Sequence, residues 1–203
     1  MTDVFADLKG EELVRFHDER LGDKPHPVSG TPRFAEGVWQ AVEDNHRFNA
    51  RLWEEEELAR RRDVPDAEIA ANKRNIDRLN QGRNDSVERI DEMLAGRIGP
   101  PGHPGARLHS ETPGMMIDRL SILSLKIRAM GAQSSRQDAT AEHRSTCAAK
   151  LKRLLEQRGD LRHCLDELLA DCARGTARFK VYRQFKMYND PSLNPHLAGK
   201  PAS

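Results

Sequence analysis

Polar side chains that could bind or react are concentrated in residues 72–91, NKRNIDRLNQGRNDSVERID. The length and composition of this stretch are typical of a helix, yet acids, amides and bases run through all of it. At about 100° per residue, Arg83 points along the mean direction of the neighbouring apolar residues, Ile69, Ile76, Leu79, Val87, Ile90 and Leu94. A polar stripe lies beside that apolar face and consists of Lys73, Asp77, Asn80, Asn84, Glu88 and Asp91. These side chains could hold an anion, hydroxyl groups or a divalent ion.

The preceding helical segment also turns polar residues toward its apolar face, which is defined by Val38, Val42, Leu52 and Ala59. Asn45, Asn49 and Glu56 lie inside that face, and Arg60 lies at its margin. Consecutive long helices joined by a short turn pack antiparallel, so both helices should present polar groups to one shared seam. Because an unpaired charge in such a seam is costly, we expect Arg83 to pair with Glu56 or with Asp118.

Two interpretations of this polar set remain open. In the first it is a ligand site made of Asn45, Asn49, Glu56, Arg60, Lys73, Asp77, Asn80, Arg83, Asn84, Glu88 and Asp118. Arg60, Lys73 and Arg83 would then meet an anionic small molecule, while acids and amides hold hydroxyl groups. In the second it is a buried network that fixes helix register for a scaffold without chemistry, as a homodimer or with another partner protein. The large number of inward polar positions favours the ligand site, since very few charges suffice to set register.

Carboxylates at helical spacing suggest a divalent metal as a third interpretation, with Glu56, Glu88 and Asp91 as candidate ligands and Mg²⁺ as the candidate cofactor. Hard cations such as Mg²⁺ take oxygen ligands, and paired carboxylates on helices supply them. The Glu-x-x-Asp spacing of Glu88 and Asp91 is similar to half of the motif of all-α nucleotide pyrophosphohydrolases. The other half is absent, since Leu58 and Ala59 stand where its last acid would fall. A metal-dependent nucleotide hydrolase is therefore kept as an alternative function.

Five helical segments are predicted to position these residues, over about 3–22, 33–62, 66–95, 113–130 and 138–173. NQGRNDS could form a hairpin turn inside the third segment, but the apolar positions keep their phase across it, which favours one helix. Residues 23–32 and 96–111 are Pro/Gly-rich loops, and the second carries His103 and His109 as lid candidates. The sequence thus predicts an all-α, single-domain antiparallel bundle of four to five helices, with its core at about 33–190 and an ordered C-terminal arm.

The C-terminal arm carries Tyr182, Phe185 and Tyr188 among basic residues, and its aromatics are expected to pack on the bundle. His46, between the two inward amides, could be a base or a ligand, but a lone helical histidine is more often a packing or surface residue. The three cysteines, Cys147, Cys164 and Cys172, lack any metal or disulfide spacing and are expected to be reduced.

Overall charge and hydropathy exclude several classes of partner. The formal charge of +1 is a near-balance of 33 bases and 32 acids, so no attraction to nucleic acid is expected. The first residues, MTDVFADLKGEEL, contain no apolar signal core, and no apolar run reaches the roughly 18 residues that a membrane span needs. The sequence therefore predicts a cytoplasmic protein without a membrane partner.

Four separated segments, in order, carry a family resemblance: LWEEEELAR, KRNIDRLNQGRND, ETPGMMIDRLSILSLKI and FKMYNDPSLNP. Together they resemble a bacterial family of helical proteins, domain-of-unknown-function family 4254, from about residue 34 to residue 196. The resemblance implies an all-helical protein of about this length without an established activity. The family's genes often lie near glycosyltransferases of surface-polysaccharide assembly, which implies a phosphorylated sugar or a nucleotide sugar as ligand. Glu57 stands where the family favours Asp, and Glu54 where His is common.

Overall fold

Helices make up almost all of the regular structure in this computed structural model, which describes residues 4–22, 31–98, 105–185, 187 and 191–197. Within these residues the helices are α1 (Gly10–Gly22), α2 (Gly37–Leu58), α3 (Asp66–Ile98), α4 (Pro113–Ser134) and α5 (Ala141–Arg174). Two short strands, β1 (Arg107–Leu108) and β2 (Ala177–Arg178), pair in parallel beside the end of α5. The predicted all-α bundle is confirmed, although the small strand pair was not predicted.

Helix α4 is the central element, as its continuous apolar character predicted, because it packs against α1, α2, α3 and α5. It begins with Thr112 as N-cap and a proline in the first turn, and the Thr112 Oγ1 accepts a hydrogen bond from the backbone N–H of Met115. Its inner residues join the main core, whose fully buried members include Leu13, Val42, Ile90, Ile117, Leu120 and Leu165. Side chains that α4 contributes to the seam with α2 and α3 are therefore held by a well-packed core.

Helix α3 runs without a break through NQGRNDS, which confirms the prediction from apolar phase. Gly82 has a packing reason to be in this helix. A Cβ at Gly82 would lie 2.4 Å from the Cζ of Phe48 on α2, a distance far inside van der Waals contact. The glycine thus lets α2 and α3 approach closely, which offsets the roughly 1 kcal/mol that glycine costs in a helix interior.

Several helix ends differ from the predicted ones. Helix α2 begins at Gly37 instead of residue 33, because the backbone N–H groups of Arg33 and Phe34 donate to the buried Glu43 at 2.8 and 3.1 Å. Helix α1 begins at Gly10 and α5 at Ala141, while Gly175 closes α5 in the left-handed conformation, as predicted. These differences leave the long central parts of α2 and α3 as expected.

The C-terminal arm is attached to α3 by polar contacts instead of by its aromatics. Arg183 forms ion pairs with Glu88 at 3.0 Å and with Glu92, and the Gln184 N–H donates to Glu88 at 2.9 Å. Phe185 is 87% exposed, so the expectation that this ring packs on the bundle is wrong. Tyr188, His103 and residues 23–30 and 99–104 of the two predicted loops lie outside the described residues.

Two of the cysteines, Cys147 and Cys172, are buried, Cys164 is exposed, and all three are free thiols. Across the described residues, no helix combines the length and apolar character needed to cross a lipid bilayer.

Candidate functional site

Asp118 is the centre of a buried hydrogen-bond network that joins α2, α3 and α4. Its side chain is 6% exposed, and its Oδ1 accepts from the Nδ2 groups of Asn45 and Asn49 at 2.9 Å each. Arg83 reaches it from α3, donating through Nε to Oδ1 at 2.8 Å and through Nη2 to Oδ2. Arg83 therefore pairs with Asp118, the second of the two partners expected from sequence, and not with Glu56.

The ion pair with Asp118 fixes the charge state and the orientation of Arg83. The hydrogen bonds that Arg83 donates to Asp118 raise the pKa of its guanidinium above the ordinary value, although burial acts in the opposite direction. A guanidinium carries five N–H donors, and Asp118 uses only two of them. Arg83 thus stays charged, is held in one orientation, and keeps donors available on its outer side.

A second layer of this network lies deeper in the bundle. The Oγ of Ser121 accepts from Asn49 Nδ2 at 3.1 Å and is 2.8 Å from His46 Nδ1. The ring of His17, from α1, stacks on His46 with centroids 4.7 Å apart. His17 is fully buried, and neither of its ring nitrogens has a hydrogen-bond partner among the residues the structure describes. Burial, together with the charges of His46 and Arg158, lowers the pKa of His17 well below its ordinary value, so the ring is held neutral.

A cavity of about 470 Å³ opens beside the exposed side of Arg83, between α2, α3 and α4. Its polar wall contains five residues of the predicted site: Asn49, Glu56, Arg60, Asn80 and Arg83. The rest of its wall is formed by Leu52, Trp53, Glu57, Ile122 and Leu125. The cavity therefore combines hydrogen-bonding groups with an aromatic and aliphatic side, which is the usual composition of a small-molecule site.

The charges in the cavity wall are compensated by neighbouring side chains. Arg60 pairs with Glu56 one turn earlier on α2, at 2.7 Å, and both side chains are largely exposed. The indole N–H of Trp53 donates to Glu57 Oε1 at 2.8 Å, which fixes the ring against the wall. The Asn80 amide has no hydrogen-bond partner within the described chain, so both its donor and its acceptor are available.

The other predicted site residues have different surroundings. Lys73 and Asp77 form an exposed ion pair within one turn of α3, and Asn84 is half-buried without lining the cavity. Asn45 belongs to the network beneath the cavity, and Glu88 anchors the C-terminal arm. The cavity thus brings together the residues on the side of the polar stripe that faces α2, and not those on its outer side.

Asp91, a candidate metal ligand, is a buried cap for the start of α4. Thr112 Oγ1 donates to its Oδ2 at 2.5 Å, and the Gly114 N–H donates to its Oδ1 at 2.6 Å. A Cβ on Gly114 would lie 2.8 Å from the same carboxylate, so glycine permits this approach. Burial raises the pKa of Asp91 to about 6, against the lowering effect of the two hydrogen bonds.

The three candidate metal ligands have separate partners. Glu56 pairs with Arg60, Glu88 with Arg183, and Asp91 with the first turn of α4. Over residues 4–22, 31–98, 105–185, 187 and 191–197, no group of three or more His, Cys, Asp or Glu side chains is arranged to hold a metal ion. The carboxylate of this set that faces the cavity is Glu56.

Five residues of the cavity wall, Trp53 and Glu57 among them, were not predicted as site residues. A usable signal existed, because Asn49, Trp53 and Glu57 follow one another at four-residue spacing and so share a face of α2. It was missed because only polar residues inside the apolar face were considered. His17 was not predicted either, although it shares the apolar face of α1 with Leu13 and Leu21 at helical spacing.

Comparison with known proteins places the chain in a family. No curated protein and no solved structure matches the sequence. One family model does match, over residues 39–181, a span that contains every residue of the cavity wall. The chain therefore belongs to the family described as "Protein of unknown function (DUF4254)".

Proposed function

We propose that the cavity between α2, α3 and α4 binds the sugar part of a phosphorylated sugar or a nucleotide sugar, the kind of ligand used in surface-polysaccharide assembly. The observation that carries this proposal is the cavity wall, which combines the aromatic side chain of Trp53 with amide, carboxylate and guanidinium groups. Its volume of about 470 Å³ lies within the range of roughly 300–1,000 Å³ typical of ligand pockets.

Arg83 is the best-prepared donor in the cavity. Asp118 holds its guanidinium from behind, so a ligand gains hydrogen bonds without having to order a flexible side chain. Since Asp118 also offsets its charge, Arg83 suits a hydroxyl or a partly neutralised phosphate better than a free dianion. Asn80 adds a free amide group of the kind that hydrogen-bonds sugar hydroxyls, whereas the Nδ2 of Asn49 is already used by Asp118 and Ser121.

Arg60 provides a cation that a ligand can recruit. Its ion pair with Glu56 is exposed, and exposed pairs of this kind contribute only about 0–1 kcal/mol. A sugar hydroxyl entering the cavity can therefore take Arg60 from Glu56 at little cost. Glu56 then becomes available to a sugar hydroxyl, or to the Mg²⁺ that accompanies many phosphorylated ligands.

A helical scaffold is the second candidate function, and the network around Asp118 favours it. Four donor contacts from three side chains converge on this carboxylate and connect three helices, an arrangement that fixes helix register. The two functions are compatible, because the network lies beneath the cavity and leaves its wall open.

Ligand-induced thermal stabilisation tests the proposal, with Asn80→Ala compared against Asn84→Ala. Both asparagines are half-buried on α3, but only Asn80 lines the cavity. Glucose 1-phosphate, UDP-glucose and GDP-mannose, each with and without Mg²⁺, are expected to raise the melting temperature of the wild type and of Asn84→Ala. The shift should fall clearly in Asn80→Ala, because that change removes a free amide without disturbing the Asp118 network.

The result that would overturn the proposal is equally specific. No stabilisation of the wild type by any sugar phosphate, or equal stabilisation of both asparagine variants, would leave the cavity without a ligand role. If the Arg83→Met protein without ligand is then more stable than the wild type, the polar seam serves only to fix the register of the helices.

A further inference from the structure

A larger groove, of about 990 Å³, adjoins the cavity on the other side of Trp53 and Glu57. It lies between the second half of α4 and the first half of α5, where each helix contributes residues at three- and four-residue spacing. Trp53 and Glu57 line both spaces, so they form a shared wall. A ligand with two chemically different parts could therefore place one part on each side of the indole.

We propose that this groove binds the nucleoside diphosphate part of a nucleotide sugar whose sugar occupies the cavity. The inference rests on the proposed function and narrows its ligand to the nucleotide-activated class. Three features of the groove support it: its cations, its amides and its apolar floor.

Three cations line the groove and have no ion-pair or hydrogen-bond partner among the residues that the structure describes: Lys126, Lys150 and Arg153. None of them forms an ion pair or a hydrogen bond within the described part of the chain, whereas Arg60 and Arg83 in the cavity are both paired. A diphosphate carries charge on several oxygens, and lysine and arginine are the side chains that bind phosphate most strongly. The anionic part of the ligand therefore belongs in the groove, and the uncharged sugar in the compensated cavity.

The remaining groove surface suits a nucleobase. Ala129 and Met130 of α4 and Leu154 of α5 form an apolar floor that can cover the face of a flat ring. Gln157 has no hydrogen-bond partner among the described residues, and Gln133 keeps its amide N–H groups available because only its Oε1 is used. Amides are suited to the edge of a base, since they offer both donors and acceptors.

Three carboxylates, from Glu57, Glu156 and Asp160, balance the formal charge of the three groove cations but form no ion pair with them. Glu57 is engaged by the Trp53 indole, while Glu156 and Asp160 are exposed and make no ion pair with Lys150 or Arg153. Their carboxylates can accept hydrogen bonds from ribose hydroxyls or hold Mg²⁺ against the diphosphate. Each chemical part of a nucleoside diphosphate thus has a matching group in the groove.

Binding of UDP and GDP to the full chain tests the proposal by calorimetry and by Trp53 fluorescence. The chain has two tryptophans, Trp39 and Trp53, so a Trp39→Phe background makes Trp53 the reporter of the shared wall. Trp39 packs on Phe34 away from both spaces, and this substitution should leave binding unchanged. UDP or GDP is expected to change the Trp53 emission.

The decisive comparison is Lys150→Ala/Arg153→Ala against Lys152→Ala. All three side chains are exposed on α5, but Lys152 does not line the groove. Loss of two charge-assisted contacts should raise the Kd for UDP and GDP about tenfold or more, while Lys152→Ala should leave it unchanged. The Kd for glucose 1-phosphate should change less than that for UDP, because its sugar is held in the cavity.

The two proposals fail in different ways. If glucose 1-phosphate binds in an Asn80-dependent manner but neither nucleotide binds, the nucleotide groove is wrong and the sugar cavity stands. The opposite result is that UDP binds and loses affinity only in the Lys150/Arg153 variant, while Asn80→Ala leaves the affinity for sugar phosphates unchanged. In that case the groove proposal stands and the cavity proposal is wrong. If dodecyl phosphate binds and neither nucleotide does, the apolar floor binds a hydrocarbon chain instead of a nucleobase. That result would overturn the nucleotide proposal.

Discussion

The seam between α2, α3 and α4 and the groove between α4 and α5 differ in how far their polar side chains are paired. In the seam, Asp118 collects donors from Asn45, Asn49 and Arg83, and the packing is tight enough to require Gly82. In the groove, cations such as Lys150 make no ion pair or hydrogen bond within the described residues, and the space beside them is open. The comparison shows that much of a dense run of polar residues in a sequence can be used in structural pairing. Donors that remain unused after folding are what distinguish a binding surface from a structural network.

Removing Asp118 should have the largest effect on the seam. Asp118→Ala leaves the Arg83 guanidinium and two buried amides without their acceptor, and breaking a buried ion pair from one side costs about 3–5 kcal/mol. Urea unfolding at pH 7 should show a loss of this size. Asp77→Asn is the matched control, since it breaks an exposed pair and should change stability by less than about 0.5 kcal/mol.

A loss for Asp118→Ala as small as that for Asp77→Asn would remove the distinction between the two regions. It would mean that water or the surrounding side chains satisfy Arg83 as readily in the seam as at the surface. A large loss together with unchanged binding of UDP would support a structural role for the seam that is independent of the groove.

The pH dependence of Asp91 tests whether the junction of α3 with α4 is a structural cap. Its folded pKa of about 6 lies above the ordinary value near 3.8, so Asp91 contributes most to stability when protonated. That contribution is complete below about pH 4 and is lost as the pH rises through 6. Relative to Asp91→Asn, a permanently neutral analogue, the wild type should lose about 3 kcal/mol between pH 4 and pH 8.

The measurement is denaturant unfolding of both proteins at a series of pH values. His17 titrates in both proteins, so the acid destabilisation expected from its lowered pKa cancels in the difference. A difference that stays constant from pH 4 to pH 8 would show that the Asp91 carboxylate is not held in the way its burial and its two hydrogen bonds indicate.

The helices could be predicted from sequence because their signals are local. The phase of Ile76 and Ile90 predicted one α3, and Thr112 and Gly175 predicted the start of α4 and the end of α5. Arg83 could also be recognised as buried and paired, because its position in an apolar face requires an acid.

The site was harder to predict, because its composition depends on distances between helices. Lys73 and Asp77 lie at the edge of the apolar face, where a rotation of α3 by a few degrees determines whether a side chain faces the seam or water. In the structure they pair with each other in solvent. The groove could not be foreseen at all, since it depends on how far α4 and α5 extend beyond the core and how Trp53 is turned. The ligand role of the predicted residues stays a prediction until it is measured.

Glycine substitutions compare the packing of the seam with that of the exposed face of α5, and they do so with the smallest chemical change. In Gly82→Ala the new methyl group would overlap the ring of Phe48, and overpacking of this kind costs about 1–3 kcal/mol, more than alanine gains in a helix. In Gly159→Ala, on α5, the new methyl group meets nothing within 4 Å, so the gain of about 0.5–1 kcal/mol from helix propensity should appear in full. Thermal unfolding should therefore shift in opposite directions for the same substitution. Equal stabilisation by both would mean that Phe48 moves aside freely, and the seam would then be no more tightly packed than the outer face of α5.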